Sequence, residues 1–285
     1  MATAKKINKK TKTEKPVVTQ NSWQLLKSTW FELSTFWRPI AGVTAVYAVL
    51  YFLFVMGLGF ASVLQVQDGT GNTFTDAMYA IFGSINDTYV GGASDATTLL
   101  QYVLFMVASL ALIWLLRKLQ ALKKVTIRDA YYQGTAGIVP VILVSVILIF
   151  CFIPAALGST LVSTAMQASS AMVEIIVITA VSGILLLGSL WLFAMFWPAF
   201  YIASLPQTRP IQALRSARVL TKKRRFSILR KFIVLGLLLA FGIFIVLLPV
   251  ALLLPVATPY VAYILLFVAF AFMQVYLYQL YRSLL

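Results

Sequence analysis

The sequence predicts an all-α polytopic membrane protein with six transmembrane helices arranged as three hairpins, each preceded by an amphipathic helix on the cytoplasmic side. Three observations carry this prediction. The chain of 285 residues is 61% hydrophobic and only 11% charged. A soluble domain is about half apolar and about a quarter charged. No soluble core of this length could bury so much apolar surface and leave a wettable exterior, so lipid must act as solvent. Six runs reach the roughly 20 apolar residues that cross a bilayer. All 23 Lys and Arg residues fall on one side of those runs.

Residues 1–21 are rich in Lys, Thr and Asn without apolar periodicity, and read as a disordered basic tail. The stretch from Lys5 to Lys15 leads into polar residues rather than an apolar core, unlike a cleavable signal peptide. Residues 22–285 form the six-helix membrane domain. Trp23, Leu26, Trp30, Leu33 and Trp37 recur at spacings of three and four, which places them on one face of a helix. Trp23, Trp30 and Trp37 are candidate interfacial anchors, because indole is stable at the headgroup level.

The spans are expected at 39–66, 97–116, 136–158, 171–197, 232–254 and 260–281. Eight cations precede the first span, five follow the second, nine follow the fourth, and Arg282 ends the sixth. The opposite side has Asp68, Asp76, Asp87 and Asp95 instead. The positive-inside bias therefore orients both termini toward the cytoplasm of a cell membrane. Between the first two spans, Thr73 and Asp76 form a capping box before an apolar face running from Phe74 to Ile85, and Gly91-Gly92 reads as a turn. Asn86-Asp87-Thr88 matches a glycosylation sequon.

Thr126 to Asp129 is a second capping box, ahead of Ala130, Tyr131 and Tyr132. Pro210 suits a first helical turn ahead of Ile211 to Leu214. Together with the Trp-rich stretch, these two starts give three units of one plan: an amphipathic segment, a span, an outer turn and a returning span. The outgoing spans of units two and three approach the outer side similarly, through Phe152-Ile153-Pro154 and Leu247-Leu248-Pro249, a shared architecture rather than a residue-level repeat. Pro140, Pro154, Pro249 and Pro255 mark kinks or span ends. Ser182, Gly183, Gly188 and Ser189 allow close packing within span four.

The chain has no histidine and a single cysteine, Cys151. It thus lacks the commonest general base and metal ligand, and no Ser/His or Cys/His nucleophile pair can form. No catalytic residue, cofactor or metal site is expected. Glu174 and Gln274 are the polar side chains set within spans. Glu174 is either an interfacial carboxylate or a coupling-ion site, and Gln274 either an interhelical hydrogen bond or part of a polar pathway.

On a helix from Pro210, the residues Arg215, Arg218, Lys222 and Arg225 share one face. Ile211, Leu214, Ala217 and Leu220 lie mostly on the other, so the helix is expected to lie apolar side down with its cations toward headgroups. Lys223 and Arg224 complete the densest cluster. The six cations from Arg215 to Arg225 either set orientation alone, or bind an anionic lipid headgroup, a phosphate or an acidic protein partner. No aromatics interleave with them, which argues against nucleic acid. Oligomerisation is left open.

The stretch Trp197-Pro198-Ala199-Phe200-Tyr201, followed by Ala213-Leu214-Arg215-Ser216-Ala217-Arg218-Val219-Leu220-Thr221 and the basic turn to Phe226, resembles the membrane domain associated with glycerophosphodiester phosphodiesterases and related six-helix bacterial membrane proteins. The resemblance implies a bacterial membrane module without the catalytic barrel, for which no residues remain. The expected function is therefore a non-catalytic membrane protein that engages anionic lipid or protein partners through its basic loops. A small transporter, exporter or channel component is the alternative.

Overall fold

The computed structural model describes residues 21–56, 95–121, 125–168, 172–205, 208–222, 224–254 and 257–285. Of the tail expected over 1–21, residues 1–20 lie outside the described residues, as does the outer segment at 73–92 with its sequon, while Asn21 caps the first helix. Every regular element among the described residues is helical. Six stretches are long and apolar enough to cross a membrane.

Helix α1 (Ser22–Thr35) opens with a capping box in which Asn21 and Gln24 satisfy each other's backbone donors. A break at Phe36 leads into α2 (Trp37–Tyr51), which ends in a π-turn over Phe52–Met56. Helix α3 (Asp95–Gln120) returns, followed by α4 (Ile127–Gly134), whose cap is Thr126 accepting from the Asp129 N–H at 3.3 Å. Helix α5 (Ile138–Phe150) and α6 (Ile153–Ala168) carry most of the third spanning stretch, Ile127–Ala165, which starts with α4, and α7 (Met172–Phe196) carries most of the fourth, Val173–Ala203. A short α8 (Pro198–Ala203) precedes α9 (Pro210–Thr221), which has Pro at its first position as its sequence implies. The long α10 (Arg225–Leu253) and α11 (Thr258–Arg282) complete the chain.

The third and fifth spans depart most from the hydropathy reading. The third span is not one helix over 136–158: it breaks at Cys151-Phe152 and resumes at Ile153. Pro154 cannot donate, and its ring crowds the preceding turn. The neighbouring Ala155 N–H is taken up by Ser189 Oγ of α7 at 2.9 Å, the kind of side-chain rescue that makes a broken helix tolerable in lipid. Pro249, by contrast, sits inside a continuous α10, so the two sites that look alike in sequence behave differently. The fifth span begins at Arg225, two turns before 232, because the polar start of a helix is invisible to an apolar window.

Helices α3 and α11 are central. α3 packs on α2, α4, α5 and α11, and α11 packs on α1, α2, α3, α8 and α10. Aromatic edges fill the α2–α11 seam: Tyr47 and Phe267 lie 5.1 Å apart at 73°, and Tyr51 and Phe267 lie 5.6 Å apart. Tyr131 of α4 donates to the Val43 carbonyl of α2 at 2.8 Å. At Gly134 a Cβ would come within 3.0 Å of the Ala111 Cα, so only glycine lets α4 lie this close to α3. A second close approach joins α6 to α7, where a Cβ on Gly158 would come within 3.2 Å of the Ser182 Cα. Ser182 and Ser189 thus serve the close packing read from sequence. Gly183 and Gly188 do not, since nothing lies within 4 Å of a Cβ placed there. They face away from α6.

Candidate functional site

The cations end up in two populations, and their local surroundings separate them. One population stands on α9. Ala213, Ala217 and Thr221 recur every four residues and are fully buried against α5, α7 and α8, with Val141, Val144, Ala199 and Ala203 across the seam. Thr221 Oγ1 donates to the Met195 carbonyl of α7 at 3.2 Å as well as to its own Ala217 carbonyl at 3.0 Å. This small-residue stripe holds α9 close to the bundle. The opposite face carries Arg215, Arg218 and Lys222, all exposed. Ile211, 75% exposed, and Val219, 70% exposed, stand among them.

This corrects the expected layout of α9 in three respects. Its buried face is Ala213, Ala217 and Thr221, with Leu214 and Leu220 at the flanks, and it meets protein rather than lipid. Ile211 lies on the cationic side. The face also stops at Lys222, because α9 ends at Thr221 and a new helix starts at Arg225. Arg225 turns away onto the Trp191 ring of α7, its guanidinium carbon 4.8 Å from the centroid. Arg224 is half-buried at the start of α10, and Lys223 lies outside the described residues.

The second population is drawn into the protein. Arg117, read as a loop cation, is in the last turns of α3. Its guanidinium donates to the Tyr201 carbonyl at 2.6 Å, the Ser204 carbonyl at 3.2 Å and Ser204 Oγ at 2.6 Å. A forked cation here satisfies the free carbonyls at the end of α8 and meets the negative end of its dipole. Tyr201 stacks on Tyr281 beside it at 5.3 Å and 17°. Lys231 is 2% exposed on the inner face of α10. Hydropathy placed it in a loop, because the last charge before an apolar run reads as that run's boundary. The signal that could have found it is the spacing of Ile228, Lys231 and Leu235, an inward stripe with one lysine in it.

The polar side chains within spans are placed apart. Gln274 is buried and bridges helices: its Nε2 donates to Ser109 Oγ of α3 at 3.0 Å, and its Oε1 accepts from the Tyr201 hydroxyl at 3.4 Å. Glu174 is exposed in the first turn of α7. Sequence reasoning missed Glu32, whose Oε1 accepts from Gln120 Nε2 at 2.6 Å while Gln120 Oε1 accepts from the Tyr278 hydroxyl at 3.2 Å, tying α1 to α3 and α11. α1 buries Leu25 and Thr29, with α11 its main neighbour, so Leu26 and Leu33 flank the buried side and the Trp side chains point away from it. Trp23, Trp30 and Trp37 are exposed, joined by Phe31. Trp37 carries the Arg38 guanidinium over its ring at 5.7 Å.

Comparison with family models, with curated proteins and with solved structures yields no match.

Proposed function

We propose that this chain is a non-catalytic, multi-pass membrane module whose basic end faces the cytoplasm and engages anionic phospholipid headgroups through the exposed face of α9. One observation carries the reading: Arg215, Arg218 and Lys222 stand exposed on a helix clamped from behind by Ala213, Ala217 and Thr221, with Ile211 and Val219 exposed among them. Cations flanked by apolar side chains fit the headgroup layer, where the charge meets phosphate and the aliphatic groups meet the acyl boundary. An acidic protein surface would leave Ile211 and Val219 without a role. The exposed Trp23, Trp30 and Trp37 fit the same layer. The resemblance of the α8–α9 stretch to phosphodiesterase-associated membrane domains supports a membrane module of this kind. Each cation near an anionic leaflet contributes on the order of 1 kcal/mol.

The test extracts the full chain with its surrounding lipid and measures retained phosphatidylglycerol against phosphatidylcholine. R215E/R218E/K222E is expected to lower that ratio and to abolish its dependence on salt, with thermal stability within about 0.5 kcal/mol of the parent. An unchanged ratio would sink the proposal.

A further inference from the structure

Helix α6 and the first two thirds of α7 stand apart from the rest of the bundle. Among the described residues, α7 is the one element on which α6 packs closely. The covered residues of α6, Ala155, Gly158, Val162 and Ala165, recur every three or four positions and so share one face. On α7, Ile175, Ile178, Ser182, Leu185 and Ser189 do the same. The two faces meet antiparallel, with Gly158 on Ser182 and the Ala155 N–H on Ser189 Oγ. Other sides of both helices are open, as Leu157, Leu161, Val177 and Ile184 show. No described residue from 153 to 192 joins the apolar clusters of the bundle. α7 is held to that bundle at its far end. There the Phe193 and Trp197 rings meet Phe232 at 5.4 and 5.3 Å, and the Met195 carbonyl accepts from Thr221. Lipid covers the open sides of such a pair as well as protein would, but it does not fix the pair's direction.

Both limbs of the pair are weak at one level. On the first, Cys151 and Phe152 leave the helix between α5 and α6. Pro154 offers no N–H to the Phe150 carbonyl four residues back. The next N–H, that of Ala155, is spent on Ser189 at 2.9 Å. On the second limb, Gly188 precedes Ser189, and a Cβ on Gly188 would meet nothing within 4 Å. Glycine costs a helix about 1 kcal/mol relative to alanine, and Gly/Ser pairs are recurrent kink sites. The Ala155–Ser189 bond joins the two weak points. Because it lies on the pivot, the pair can turn about it without breaking it.

We infer that α6 and residues 172–188 of α7 form one rigid arm, which turns within the bilayer about a hinge at 151–154 and 188–189. Each limb concentrates its change of direction in a few residues at or beside a helix end, as hinges do. The arm does not involve the α9 cations, so it stands or falls apart from the lipid-engaging surface.

The experiment uses the full chain in phosphatidylcholine vesicles, with C151S removing the native thiol. Spin labels are placed at exposed sites in three pairs, and distances are read by electron–electron dipolar spectroscopy. L157C/V173C lies within the arm, L237C/V268C within the bundle, and V173C/V268C between them. The two internal pairs should give narrow distributions, and the arm-to-bundle pair one about twofold broader or more. P154A/G188A should narrow the arm-to-bundle distribution to the internal width. G188A alone, whose methyl enters open space, should narrow it part of the way. G183A, on the arm beyond the pivot, should leave all three widths as in the parent. The inference is overturned if the parent's arm-to-bundle pair is no broader than the internal pairs, or if the pair within the arm is as broad. It is also overturned if P154A/G188A and G188A both leave the arm-to-bundle width unchanged, or if G183A narrows it as much as they do.

Discussion

Helices α3 and α7 are equally apolar and differently used. The most apolar 18-residue windows of the two spans have mean hydropathies of 2.3 and 2.4, yet 44% of the first window is buried within the protein and only 6% of the second. α3 is surrounded by α2, α4, α5 and α11. α7 shares its main face with α6 and leaves Val173, Ile176, Val177, Ile184 and Leu187 exposed. Apolarity marks a segment for removal from water, but lipid and protein serve that end alike. Both helices have close approaches and polar ties; they differ in where these fall, on several sides of α3 but on α7 chiefly toward α6 and its own end. α3 has Ala111 against Gly134, Ser109 against Gln274, and Arg117 against the end of α8. α7 is tied to its neighbours by Ser182, Ser189 and the Met195 carbonyl.

This contrast can be broken by substitution, with reversible unfolding in detergent as the readout. The largest effect is expected at Arg117. R117A removes three hydrogen bonds and should destabilise by about 3 kcal/mol, while R117K keeps the charge without the fork and should recover only part of it. G134A comes next. Its Cβ would press on α3 backbone that cannot swing aside, so a loss of about 2 kcal/mol is expected. Q274L should lose about 1 kcal/mol, since membrane hydrogen bonds of this kind average roughly 0.6 kcal/mol each and two are removed. At the small end, G183A and G188A on the open face of α7 should leave stability unchanged or slightly raised, because alanine is the better helix former and meets nothing. If G183A destabilised as much as G134A, α7 would have to be packed where it stands exposed, and the contrast would fail.

Much of this was legible in the residues. The capping box at Thr126, the helix start at Pro210 and the six apolar runs depend on local rules that operate within a few residues. The fate of individual cations was legible only in part. Arg225 and Lys231 belong to the same basic cluster as Arg215 and Lys222, Arg117 to the one before it, and only Lys231 carries a local signal, its place between Ile228 and Leu235. The distinction comes from residues far along the chain: Tyr201 and Ser204 for Arg117, Trp191 for Arg225, Tyr276 for Lys231. The same holds for α1. Its Trp stripe was readable, but the choice of Leu25 and Thr29 as the buried side was made by α11.

By itself, then, the sequence determined that six segments leave water and that the positive charge gathers at one set of loops. Those outcomes depend on transfer free energies that each segment carries alone. Only the tertiary structure decided which apolar helices are buried in protein and which keep their apolar faces exposed, and which cations stay exposed on α9 while Lys231 is enclosed. Those outcomes depend on the fit between distant surfaces, where one glycine at position 134 or one serine at 189 sets how closely two helices can lie.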